Sequence, residues 1–73
     1  ASLFDRLRIG MAVLDIEHRP IGLVNGLGDD RFRISTYGGE AIWLRSDVLF
    51  VVNRYTVELI CAQAGLDRYR ADD

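Results

Sequence analysis

Lysine is absent from the chain, and cysteine, histidine, proline, methionine and tryptophan each occur once. One cysteine excludes an internal disulfide. One Cys and one His fall short of the four ligands of a structural zinc site. No apolar run is longer than residues 48–52, far below the roughly 18 residues a membrane-spanning helix requires. Asp5, Arg6 and Arg8 interrupt the opening residues, so no apolar signal-peptide core is expected there. The lone thiol and the missing export signal predict a cytoplasmic location.

What is present is apolar and acidic. Hydrophobic residues make up 49% of the 73 residues, which places the chain among globular domains and not disordered ones. That length allows one domain, residues 1–73, with a core over about 8–60 and a tail over 61–73. A chain this short buries only about 60% of its unfolded surface, so good packing or a partner subunit is needed. Self-association, as a homodimer, is therefore expected. The net charge is −2 and all nine basic residues are arginine. An acidic domain gains little from phosphate contacts, so nucleic acid is not the default partner. The plain reading of the all-arginine set is genome composition. The sharper one is that arginine suits interfaces, by stacking and bidentate pairing.

The dominant period is two. Ile9, Met11 and Val13 point one way, while Gly10, Ala12, Leu14 and Ile16 point the other. A second strand spans 21–27, with Gly22 and Gly26 marking a bend or close backbone approach. After a turn at 28–30, Phe32, Ile34 and Thr36 alternate with Arg31, Arg33, Ser35 and Tyr37. Gly38-Gly39 ends that strand. In the fourth, Ile42 and Leu44 share a face opposite Trp43, and Ser46-Asp47 can cap one helical or 3₁₀ turn. Residues 49–60 read as a hairpin about Asn53-Arg54, with Tyr55, Val57 and Leu59 on one face. Because Arg fits the second loop position poorly, a longer loop is the alternative. In the tail, Ala62 to Ala64 favour a helix that Gly65 ends, and Leu66 and Tyr69 can dock back on the body. Five or six short strands with tight connections predict an all-β fold, a small SH3-like antiparallel barrel with a short, helix-prone C-terminal tail.

These residues resemble a known family. Gly10, Met11, Asp15, Ile21, Gly22 and Val24 are similar to the opening hairpin of PRC-barrel domains, and residues 41–60 are similar to their second half. Two departures stand out: "EHRP" at 17–20 replaces a turn glycine, and Trp43 stands where many members have proline. PRC-barrels occur in the H subunit of photosynthetic reaction centres, in a ribosome maturation factor and as small free-standing bacterial proteins. The resemblance implies a non-enzymatic adaptor that holds protein partners, with no shared catalytic residues and no cofactor. It also raises an alternative, a small RNA- or ribosome-associated barrel.

Among candidate sites, Asp15, Glu17 and His18 crowd one turn, but strand alternation sends them to opposite faces, and a metal would still lack ligands. Cys61 needs a nearby base or cation to react, and a small apolar residue closing the last strand is the simpler role. Gly38-Gly39-Glu40 lacks the lysine and following helix of a phosphate cradle. Residues 56–70 resemble the middle of a helix-turn-helix, a reading opposed by the strand-like chain before them. Trp43, Tyr37 and Tyr55 are the expected partner-binding anchors, flanked by Arg31, Arg33 and Arg45. Their competing role is that of lids over the ends of a barrel.

Overall fold

The computed structural model describes residues 2–71. Six strands form one sheet: β1 (Ala12–Leu14), β2 (Pro20–Gly28), β3 (Arg31–Thr36), β4 (Ala41–Arg45), β5 (Leu49–Val52) and β6 (Thr56–Leu59). Short 3₁₀ segments lie at Phe4–Arg6, Ser46–Val48 and Gln63–Tyr69. The strand order is β4-β3-β2-β1-β6-β5.

Period-two patterning places the core as expected except at Ile9, which is exposed because the chain turns at Gly10, φ 99°, before β1 begins. Met11, Val13, Phe32, Ile34, Thr36, Ile42 and Leu44 are all buried. Inner-face residues of the two edge strands, Ile42 and Leu44 on β4 and Leu49 and Val52 on β5, belong to one buried cluster. Strands from both ends of the ladder therefore share one core, which requires a strongly curved sheet. Leu7 and Leu66 bring the flanking segments into the same cluster, and Leu3, Phe4 and Tyr69 pack against it.

Two features differ from the expected antiparallel barrel. The ladder is open, with β4 and β5 as its edges. It is also mixed, because β1 and β6 run parallel, with Val13 opposite Val57. Direction explains the parallel pair. A single 3₁₀ turn, Ser46–Val48, carries the chain from β4 to the far half of the sheet without a hairpin reversal. The β5–β6 hairpin then supplies the reversal that brings β6 alongside β1 in the same sense.

Local details also depart from expectation. The β5–β6 loop has three residues, so Tyr55 lies in the loop and is exposed, while Val57 and Leu59 are buried. The Ser46 side chain does not cap its turn but donates from Oγ to Asp30 Oδ1 at 2.7 Å. The tail's 3₁₀ segment runs through Gly65 and does not stop there. Gly65 keeps an ordinary negative φ, so nothing in its backbone breaks the turn. Leu66 and Tyr69 do dock on the body. Strand β6 occupies the residues that a helix-turn-helix would need as helix.

Gly22 sits between Val13 on β1 and Thr36 on β3. A Cβ there would run into the Ser35 backbone carbonyl. Because the obstacle is backbone in a paired strand, it cannot rotate away. Gly22→Ala should destabilise the fold by about 1–3 kcal/mol, read as a lower urea midpoint at unchanged m-value.

Candidate interaction surface

Strands β3 and β4 place three arginines and the tryptophan on the outer face. Arg33 is paired directly with Trp43, and Arg31 with Arg45. The Arg31 guanidinium lies over the Trp43 ring at 4.9 Å from the centroid, and that of Arg33 at 5.4 Å. The indole reaches across β3 toward Gly28: a Cβ at that glycine would stand 3.3 Å from the ring and 3.2 Å from Arg31. Gly26 leaves similar room beside Arg33. Bare backbone on β2 thus gives floor space to the bulky groups of β3 and β4. Asn25 steadies Arg33, accepting from Nε through its side-chain oxygen at 2.8 Å and from Nη2 through its backbone oxygen at 3.1 Å.

Of these charges, only that of Arg45 meets a carboxylate among the described residues. Among the described residues, the acidic partners of arginine are Glu17 with Arg19, Asp47 with Arg45 and Asp67 with Arg70. Arg31 and Arg33 have no carboxylate partner there. Stacking of each cation on the indole is worth about 0.5–1 kcal/mol at an exposed site and leaves guanidinium N–H groups available to an incoming acceptor. Arg45 turns instead toward Asp47 and lies over the Tyr69 ring at 5.5 Å.

Of the six expected partner-binding residues, Arg31, Arg33 and Trp43 come together, and Arg45 stands beside them against Tyr69. Tyr37 follows the opposite end of β3, 65% exposed, and Tyr55 lies in the β5–β6 loop, 73% exposed. Neither joins the cluster. The sequence reading missed Gly28 as ring space, since next to Asp29-Asp30 it reads as part of the turn. In the structure it ends β2 and only Asp29-Asp30 form the turn, with Asp30 in the left-handed region at φ 57°.

An open groove of about 680 Å³ borders this surface at the Arg31–Arg45 end. Asp29, Asp30, Asp47, Ser46 and Arg70 line it with the two arginines. Its charge is mixed, so it favours no simple anion or cation.

The crowded turn at residues 15–19 is a backbone device. Asp15 is buried, and its Oδ1 accepts from the amides of Glu17 and Arg19 at 2.8 and 2.9 Å. His18 takes a left-handed φ of 63° and sends Nε2 to Glu58 Oε1 at 3.1 Å. Asp15 and His18 therefore serve different partners and do not converge. Among the described residues, no group of three His, Cys, Asp or Glu stands close enough to hold a metal ion. Gly38-Gly39 is a turn with Gly39 at φ 97°, closed by its amide on the Thr36 carbonyl. Cys61 is half-buried. Burial pushes its thiol pKa up; the Arg68 charge pulls it down, and the Asp15 charge adds to the rise. Among the described residues no helix is long and apolar enough to cross a membrane.

In comparisons with known proteins, no family model, curated protein or solved structure matches this chain.

Three measurements check this geometry. Asp15→Ala leaves two amides without their acceptor and should cost about 1–3 kcal/mol in chemical denaturation. Gly28→Val should push the indole off the sheet, seen as red-shifted Trp43 emission and stronger acrylamide quenching with little change in far-UV circular dichroism. Because the raised pKa keeps Cys61 as thiol at neutral pH, iodoacetamide should modify the folded chain more slowly than the urea-unfolded chain, with its pH midpoint displaced upward.

Proposed function

We propose that this protein is a non-enzymatic protein-interaction module of the PRC-barrel type, its curved sheet serving as an SH3-like barrel in the cytoplasm. The single observation that carries this reading is the outer-face cluster. Two guanidinium groups lie over one indole, neither paired with a carboxylate among the described residues. Arginine and tryptophan are the residue types that dominate binding energy at interfaces. Here they stand on three hydrogen-bonded strands, an ordered backbone that lowers the cost of binding. The residues 10–24 and 41–60 that resemble PRC-barrels supply the adaptor role. Self-association belongs to the same reading: Ile9, Ile16, Leu23, Leu27 and Phe50 remain exposed on a small domain.

A second reading, binding to RNA or ribosomal particles, draws on the same cluster, because an aromatic ring flanked by arginines can stack a base. The neighbouring carboxylates weigh against it. Asp29, Asp30 and Asp47 border the arginines and would repel a phosphate chain.

Two experiments test the proposal. Affinity purification from the native host with the wild-type chain and a folded Trp43→Ala/Arg33→Glu variant should yield proteins held by the first and lost from the second; identical sets would remove the face as the working surface. Sedimentation equilibrium should show a monomer–dimer equilibrium in the micromolar range, and a stable monomer at high micromolar concentration would end the self-association claim. Retention of RNA on a filter at low salt, falling steeply as salt rises, would favour the second reading.

A further inference from the structure

The β4 edge is already met at one point by an extended piece of the tail. Arg70 forms an antiparallel bridge with Leu44, and the Ala71 amide donates to the Trp43 carbonyl at 2.9 Å. Arg31 Nη1 then donates to the Ala71 carbonyl oxygen at 3.1 Å. The tail thus offers β4 one donor and offers the arginine cluster one acceptor. Both are backbone groups that any extended peptide possesses. In this register a residue opposite Leu44 shares the core side of the sheet, and a residue opposite Trp43 shares the outer side with Arg31 and Arg33.

We propose that the β4 edge is a docking site for an extended acidic peptide strand, and that residues 70–71 of this chain occupy it as a weak internal competitor. The inference rests on the reading of the Arg31–Trp43–Arg33 face as an interaction surface. Charge complementarity selects the occupant. An incoming strand adds backbone hydrogen bonds to the edge, and its outward side chains lie beside two arginines that lack a carboxylate partner among the described residues. An Asp or Glu at the Ala71 position can take the charge-assisted bonds that the neutral carbonyl now takes singly. The flanking acids set the limits: Asp29, Asp30 and Asp47 lie at the Arg45 end, and Glu40 precedes Ala41 at the other. Acidic side chains therefore fit along the middle of β4 and not at its ends. The internal competitor is weak because, among the described residues, it meets β4 at a single bridge, to which the Ala71 amide bond belongs, next to a mixed-charge groove.

Ala71→Pro tests the competitor directly. It deletes the amide donor to Trp43, and Arg70, at φ −68° and ψ 139°, already has the extended backbone that a residue before proline prefers. The probe is a labelled alternating Glu–Val octapeptide, with an alternating Lys–Val octapeptide as its counterpart, read by fluorescence anisotropy on the full chain. The expected result is saturable binding of the acidic peptide only. Affinity should rise about tenfold in Ala71→Pro, the equivalent of one freed hydrogen bond, and should vanish in Arg31→Glu/Arg33→Glu. In the wild-type chain, whose folding is not in question, saturating acidic peptide should speed hydrogen exchange at the Ala71 amide as the tail is displaced. Binding that is abolished by the arginine reversals but leaves both Ala71→Pro affinity and Ala71 exchange unchanged would overturn edge docking while sparing the face. Equal binding of the two peptides, or no binding of the acidic one even to folded Ala71→Pro, would overturn the proposal outright.

Discussion

The sheet depends on a strand of three residues. Strand β1, Ala12–Leu14, lies between β2 and β6. It joins the β2–β3–β4 meander to the β5–β6 hairpin, and among the described residues no other strand pairing links those halves. Val13, fully buried, faces Gly22 on one side and Val57 on the other. So short a strand cannot hold its register by length. Its end is fixed by the Asp15 carboxylate, which collects the Glu17 and Arg19 amides and turns the chain into β2. The His18 contact to Glu58 ties that same turn across to β6. The polar residues at 15–18, which look like chemistry in the sequence, hold the junction together.

The same economy shapes the outer face. Trp43 finds room because Gly28 has no side chain to oppose it, and Gly26 leaves the same room for Arg33. Arginine suits the site where lysine would not: a planar guanidinium can stack on an indole and still present N–H groups at its edge. The all-arginine composition thus has a structural use at residues 31 and 33, whatever its origin elsewhere in the chain.

Much of this was legible in the sequence, because burial on one side of a sheet writes itself as alternation. Phe32, Ile34, Ile42 and Leu44 against Arg31, Arg33 and Trp43 gave both the core and the arginine–tryptophan face. Alternation carries no information on strand order, so the parallel β1–β6 pair could not be read from it. Tyr55 was misplaced because a three-residue loop and a two-residue loop leave the same pattern on either side. Gly65 reads as a helix stop, yet a 3₁₀ segment with an ordinary φ passes through it. Closure of the ladder was expected from the liability of bare edges; in the structure the β4 edge meets residues 70–71 of its own tail instead.

The parallel pair also sets an order of events during synthesis. Residues 12–14 pair with residues 56–58, so β1 cannot be paired on both edges until residues 56–58 have been synthesised. The β2–β3–β4 meander can assemble earlier from neighbours in sequence, with β1 attached by one edge only. Until β6 arrives, the other edge of β1, and with it Val13, faces solvent. The nascent chain thus passes through a stage with β1 open along one edge, a gap that only the long-range β1–β6 pairing closes.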